Sequence, residues 1–305
     1  VLTGCRRADD LVQEQTETEN YALTVFTAQE RKEWEPVIKE FEERTGWNVR
    51  VETGSAKEML SQLEKEEADW DVAFGVSADA LEEGKEYWQT GKDAWTGYSA
   101  VSFVILYNTN VVTYRELPTG WDSLLEPRWK GRVAVPDPLK SDMAASVLTE
   151  AAKNSEKEEF LDLLAENMQY QMPETFKEVE QGISDGRYSI GVTSEEAAKA
   201  MLAAGQDVDY IDPEEGECFF EDGTAIRKRT PNLDASEAFV TYTTCDDTKW
   251  LLRTQLLRQP AEDVAAENDR SDEELKQRYS RQQEVLNIWK LIMEEKTGPA
   301  HEQEQ

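Results

Sequence analysis

The sequence predicts an α/β protein built as two interleaved lobes. Three observations carry that reading. Short apolar strand segments alternate with amphipathic helical ones from residue 21 onward, the rhythm of a parallel sheet with helical crossovers. The 305 residues are long for one hydrophobic core and sufficient for two. No repeat, low-complexity linker or central boundary divides the chain, so the backbone is expected to cross between the lobes twice.

Residues 21–26 form a first strand, followed by Thr27-Ala28-Gln29-Glu30 and a helix with Trp34, Val37, Ile38 and Phe41 at helical spacing. Thr45-Gly46 ends that helix, and residues 48–52 form the next strand. Thr53-Gly54-Ser55 then opens a helix with Met59, Leu60 and Leu63 on one face. A third strand, 71–74, ends at Gly75-Val76-Ser77. The run VSFVILY at 101–107 is apolar on both faces, which places it at the centre of a sheet. Further strands are expected at 131–135, 189–192, 208–211 and 223–227. Helices are expected at 141–152, 160–168 and 176–183, from Thr193-Ser194-Glu195 to 204, and at 234–243. The remainder to about residue 295 reads as helix, and 298–305 as a disordered tail.

Charge narrows the function. Asp and Glu number 64 against 33 Lys and Arg, a net charge of −31. Such a chain lacks the cationic surface that displaces counterions from nucleic acid, so no nucleic-acid partner is expected. It is also repelled by anionic headgroups. The segment Val1-Leu2-Thr3-Gly4-Cys5 resembles a bacterial lipobox, which makes Cys5 the candidate lipidation site. The polar stretch 6–20 suits a flexible tether. This reading places the protein outside the cytoplasmic membrane, held to it by the N-terminal lipid only. Cys218 and Cys245 form a candidate disulfide, which an exported chain permits but two cysteines do not establish.

Several strand ends run into small or hydroxylic turns: Thr27-Ala28-Gln29, Gly54-Ser55, Val76-Ser77, Ser141-Asp142-Met143 and Thr193-Ser194-Glu195. Ligands of open α/β sheets bind beyond the carboxyl ends of strands, where helix N-termini present free N–H groups. These residues are therefore the candidate ligand contacts. Each hydroxyl, taken alone, also reads as an ordinary helix N-cap.

The segment WDSLLEPRWKGRVAVPDP at 121–138 closely resembles a signature of ABC-importer binding proteins of the ferric-iron, hexose-phosphate and aminoethylphosphonate type. Phe41 to Gly46, Asp69 to Gly75, Tyr107-Asn108-Thr109, Glu215-Gly216, Gly223 to Ile226 and Pro231 to Phe239 agree in order and spacing. The resemblance covers about 21–250. It implies a two-lobed type 2 periplasmic-binding-protein fold, each lobe a mixed, mainly parallel sheet flanked by helices, on a two-segment hinge. The implied division is a tether at 1–20, lobe 1 at 21–108, lobe 2 at 109–212, and a return to lobe 1 with the C-terminal helices at 213–297. It further implies a monomer that captures a small-molecule solute by hinge closure and delivers it to ABC permease subunits.

The departures bear on the ligand. Iron-binding relatives use an adjacent Tyr-Tyr pair, and this chain has none; its matching stretch is Val192-Thr193-Ser194-Glu195-Glu196, and its one histidine is His301. No metal and no cofactor are expected. An organic phosphate or phosphonate suits the hydroxyl-and-amide turns better. Asp142 stands where relatives often have glycine, so it either meets an amine or hydroxyl of the ligand or caps its own helix. Trp95 and Tyr98 are the aromatics expected to face the cleft. The alternatives are a ferric-iron binder of the same fold and a ligand-sensing receptor for a signalling kinase. An enzyme is disfavoured: the chain has no Gly-x-Ser-x-Gly, Walker or His-Glu-x-x-His motif. A glycosidase built on two carboxylates has no such signature to miss. A purely adhesive lipoprotein would need no cleft.

Overall fold

The computed structural model describes residues 21–89, 93–216, 218–264 and 271–297. Cys5, the tether and the 298–305 tail lie outside them. The chain runs β1 (Leu23–Thr27), α1 (Arg31–Thr45), β2 (Val49–Thr53), α2 (Ala56–Glu64), β3 (Val72–Ser77) and α3 (Ala78–Glu83). It continues through β4 (Thr96–Asn108), β5 (Val133–Ala134), α4 (Asp142–Asn154), α5 (Phe160–Asn167), α6 (Phe176–Ser184), β6 (Ile190–Ser194), α7 (Glu195–Ala203) and β7 (Val208–Ile211). It closes with β8 (Cys218–Ile226), α8 (Leu233–Thr243), α9 (Asp246–Leu251), β9 (Gln259–Pro260), α10 (Ala261–Val264) and α11 (Asp272–Thr297).

All nine strands belong to one sheet, in the order β2-β1-β3-β8-β4-β6-β5, with β7 and β9 also on β4. Two long strands make it continuous. The first half of β4, Thr96 to Phe103, pairs antiparallel with β8, and its second half, Phe103 to Tyr107, pairs with β6. The far half of β8 pairs with β3. β4 and β8 are thus the two hinge segments, each serving both lobes. Parallel pairing is confined to β1–β2, β1–β3 and β5–β6. The sheet is more antiparallel than the β-α-β rhythm suggests, because the crossing strands run in opposite directions.

Side-chain alternation places a core on each face. Leu23 and Val25 of β1 pack with Val37, Ile38 and Phe41 of α1 and Phe239 of α8, while Phe26 turns to Met59, Leu60 and Leu63 of α2. In the other lobe, Phe103, Ile105 and Tyr107 face α4, α5 and Trp121, whereas Val104 and Leu106 face α6 and α7. This double coverage is why 101–107 is apolar at nearly every position. Trp121 is fully buried; its backbone N–H donates to Glu215 Oε2 at 3.0 Å and its Nε1 to the Gly216 carbonyl at 3.1 Å. Two of the family-like segments therefore dock on each other. The Asp71 carboxylate likewise accepts from Thr24 N at 2.8 Å and Asn232 Nδ2 at 3.1 Å, joining β1 to the turn that enters α8.

The chain departs from the sequence reading after residue 245. The remainder to about residue 295 reads as helix; α9 instead passes through a π-helical turn at Leu252–Leu256 and stops at Leu257, whose φ is 52°. Gln259-Pro260 then adds the short strand β9 to β4. Proline removes a backbone donor and biases its predecessor to extended geometry, so a helix cannot continue here. The last helix also differs in placement: Val285, Trp289 and Ile292 join the core of the second lobe, although α11 also packs on α3 of the first. Cys218 is buried in that same second-lobe core and Cys245 packs against a first-lobe core; both thiols are free, so the candidate disulfide is absent.

A buried charge cluster ties α11 across the lobes. Arg278, 7% exposed, places Nε 3.2 Å from Glu150 of α4 and 3.6 Å from Asp79 of α3, and Nη2 donates to Ser146 Oγ and the Phe219 carbonyl. Burial pushes the Asp79 carboxyl up to about 6, the Arg278 guanidinium opposes that, and the Glu150 carboxylate adds to it. A raised acid binds its proton more tightly in the folded state than in the unfolded one. Its contribution is greatest below the ordinary value of 3.8 and is lost as pH rises through about 6. Asp79→Asn should therefore gain stability relative to the wild type between about pH 4 and 7, on the order of 2 kcal/mol. Urea midpoints across that range check it; a constant difference refutes it.

Candidate functional site

The hinge strands carry a buried carboxylate at the floor between the lobes. Asp222 of β8 is 0% exposed. Its Oδ1 accepts from Ser99 N at 3.1 Å and Ser99 Oγ at 2.7 Å; its Oδ2 accepts from Gln29 Nε2 at 3.0 Å and Arg258 Nη1 at 2.7 Å. Two bulges make this possible. Tyr98 is the extra residue of β4 between Gly97 and Ser99, which turns both Ser99 donors onto Asp222. Gly75 is the extra residue of β3, with φ 62°. A Cβ there would lie 2.4 Å from Gln29 Cδ, so glycine lets Gln29 fold over β3 and reach Asp222.

Above this floor lies a cavity of about 370 Å³. It is lined from the first lobe by Lys32 and Glu33 of α1 and by Arg258, and from the second by Met143 of α4, Phe176, Lys177 and Glu180 of α6, and Ser194. The size falls within the roughly 300–1,000 Å³ of small-molecule sites. The carboxylates here are already engaged. Glu33 accepts from Glu30 N at 3.1 Å, and Glu180 accepts from Thr193 Oγ1 at 2.7 Å. Burial raises the Glu180 carboxyl above its ordinary value, against the pull of the Thr193 hydroxyl and the lysines Lys32 and Lys177. Lys177 makes no ion pair among the described residues. A larger depression of about 730 Å³, lined by Glu82, Trp95 and Glu262 among others, takes no residue from α4, α6 or α7 and so does not lie between the lobes.

Of the residues expected as ligand contacts, Met143 and Ser194 line the cavity. The hydroxyls act as helix caps: Ser55 Oγ accepts from Glu58 N, Ser77 from Ala80 N, Ser141 from Ala144 N and Ser194 from Ala197 N. Thr27 is buried and accepts from Gln29 N; Ala28 is half-buried beside it, and the Gly54 N–H donates to the Thr27 carbonyl. Val76 lies in the first-lobe core, and Glu195 pairs with Lys199 at 2.9 Å. Of the aromatics, Trp95 lines the outer depression, and Tyr98 is buried against Phe74 with ring centroids 4.7 Å apart. Neither lines the cleft. The residue that the sequence reading passed over is Arg258. Its signal was Leu257-Arg258-Gln259-Pro260, a charge two residues ahead of the proline that ends the apparent helix.

Asp142 has a specific role. Its Oδ2 crosses between the lobes and accepts from the N–H of Ala56, the first residue of α2, at 3.0 Å. Burial pushes this carboxyl up, the Ala56 N–H opposes that, and Glu58 adds to it. The helix end expected to receive a ligand anion thus receives the protein's own carboxylate.

This architecture, two α/β lobes on a hinge of two long strands with a charged cavity between them, is that of periplasmic solute-binding proteins. Residues 75–283 match the family of bacterial extracellular solute-binding proteins, and the chain belongs to it. It is 22% identical over 302 residues to iron uptake protein A1 of Synechocystis, covering 88% of this chain and 80% of that one. Its fold matches the periplasmic binding protein AfuA from Actinobacillus pleuropneumoniae, solved with exogenous fructose-6-phosphate bound, with a TM-score of 0.72, 14% identity and coverage of 89% and 98%. It also matches a ferric binding protein from Campylobacter jejuni, with a TM-score of 0.70, 16% identity and coverage of 88% and 99%. The family and these neighbours are binding proteins rather than enzymes.

Asp142→Ala removes the one acceptor facing Ala56 N–H. An unpaired buried donor costs about 1–3 kcal/mol, which opening the cleft to water relieves. The unliganded variant should therefore show a larger radius of gyration than the wild type by small-angle X-ray scattering. An unchanged radius would show that this bond does not hold the lobes together.

Proposed function

We propose that the chain is the substrate-binding subunit of an ABC importer and captures a small organic phosphate or phosphonate that also carries hydroxyls or an amine. The observation that carries this reading is the interlobe cavity with Lys32 on one lobe, Lys177 on the other and Arg258 on the floor. An anion entering it draws both lobes together, and a ligand that binds the closed state better shifts the population towards it. Glu33 and Glu180 are placed to meet hydroxyls or an amine. Ferric iron is the less favoured cargo, because the cavity lining includes no tyrosine and the described residues hold no cluster of three or more His, Cys, Asp and Glu fit for a metal. The permease reads the closed form, and Cys5 anchors the subunit to the outer face of the membrane through the tether.

The test is thermal unfolding with hexose phosphates, 2-aminoethylphosphonate, ferric citrate and neutral sugars. A ligand at 100 times its dissociation constant stabilises by about 2.7 kcal/mol, a clear midpoint shift. A shift with a phosphorylated or phosphonate compound is expected, and Lys177→Glu should weaken it about tenfold. A response to ferric citrate alone would replace the organic anion with iron.

A further inference from the structure

A buried guanidinium ordinarily has its donors filled, because stripping water from a charge without replacing the hydrogen bonds is costly. Arg258 is 4% exposed, and its donors are not filled. Nη1 donates to Asp222; Nη2 reaches only the Met143 sulfur, a weak acceptor, at 3.5 Å; Nε has no partner among the described residues. Burial works against the Arg258 charge and Asp222 more than offsets it, so the guanidinium stays protonated. Arg258 and Met143 both line the interlobe cavity, so the underused Nε–Nη2 edge lies at its wall.

We propose that this edge is the anchor of the ligand's acidic group, taken by two parallel N–H···O bonds. The inference rests on the organic-anion reading above and names the residue that would carry it. Two parallel donors in a rigid plane match the oxygens of a phosphate or phosphonate, whereas a lone hydroxyl would fill only one. Asp222 does not compete for the edge. Its own acceptor positions are occupied by Ser99, Gln29 and Arg258, and its role is to hold the guanidinium in one orientation. Because Asp222 also neutralises Arg258, a second anion needs further positive charge nearby. Lys177, which makes no ion pair among the described residues, supplies it from the second-lobe wall of the cavity. Met143 stands on the second lobe, so displacing its sulfur with a ligand oxygen links the floor to the wall that closes.

The test uses calorimetric titration of the full chain with glucose 6-phosphate, 2-aminoethylphosphonate and glucose. Arg258→Lys retains the charge and loses the planar edge; affinity for the anions should fall about 100-fold, with the unliganded melting midpoint checked for each protein. Met143→Glu places an internal carboxylate against the same edge; it should fold, with its new charge paired, and bind no anion. If the wild type binds an anion and both folded variants bind it within threefold, the assignment of Arg258 is wrong while the organic-anion reading stands. A wild type that binds neither anion overturns both.

Discussion

Asp222 is an ionisable group with no access to water, placed in the middle of a hinge strand, and much of the molecule is arranged to satisfy it. A buried carboxylate must receive several donors or lose its charge. Here the donors come from three separate parts of the chain: the turn after β1, the bulge in β4, and the loop that follows the π-helical turn. Each arrival requires a local irregularity. Gly75 adopts a left-handed conformation so that Gln29 can lie over β3; Tyr98 bulges so that Ser99 turns inward; Leu257 turns left-handed before the backbone reaches Arg258. These are conformations that regular strands and helices avoid, and they gather at one point because one carboxylate needs them there.

The consequence is a fixed floor beneath two movable walls. β4 and β8 each serve both lobes, so the sheet is continuous through the hinge and the lobes cannot separate at their base. Motion is left to the region above, where the lobes meet through few polar links: Asp142 to Ala56, Gln259 to Glu196, and Arg258 to the Met143 sulfur. On the other side, α11 bridges the lobes through Arg278 and its two carboxylates, which confines opening to the cleft. Few hydrogen bonds across the cleft suit a pair of states close enough in free energy for ligand binding to decide between them.

Much of this fold was legible in the sequence because it follows from period and punctuation. The alternation of β1 to β3 with α1 and α2, and the doubly buried run at 101–107, are patterns of spacing. The true lengths of β4 and β8 were not legible. Their added residues break the apolar run with Thr96, Gly97, Ser99, Glu221 and Asp222, of which Ser99 and Asp222 form the hinge floor. The segment after residue 245 was misread for the converse reason: Leu251, Leu252 and Leu256 keep a helix-like apolar spacing through the π-helical turn, and the break at Leu257 is a backbone event. At the site, Ser77 and Ser194 end strands while Ser55 and Ser141 follow theirs in loops, and all four oxygens cap the helices they begin. Arg258 was hidden because its meaning depends on Asp222, 36 residues earlier, which spacing alone cannot pair.

The charges in and around the cleft then constrain what it can hold. Helix N-termini attract anions, and at α2 that demand is met internally by Asp142. Arg258 is neutralised by Asp222 on one side and open on the other; Lys32 pairs with Glu30 at 2.9 Å; Glu180 is driven towards its neutral form by burial. Among the described residues, Lys177 is left without an ion pair beside an underused guanidinium edge. On a protein with a net charge of −31, a cavity whose three cations match its three lining carboxylates is far less negative than the chain as a whole. On the organic-anion reading proposed above, the ligand also needs polar surface to meet Glu33 and Glu180. On that reading, selectivity would come less from the hydroxyl turns, whose serine oxygens cap helices, than from the balance of a few charges around the cavity.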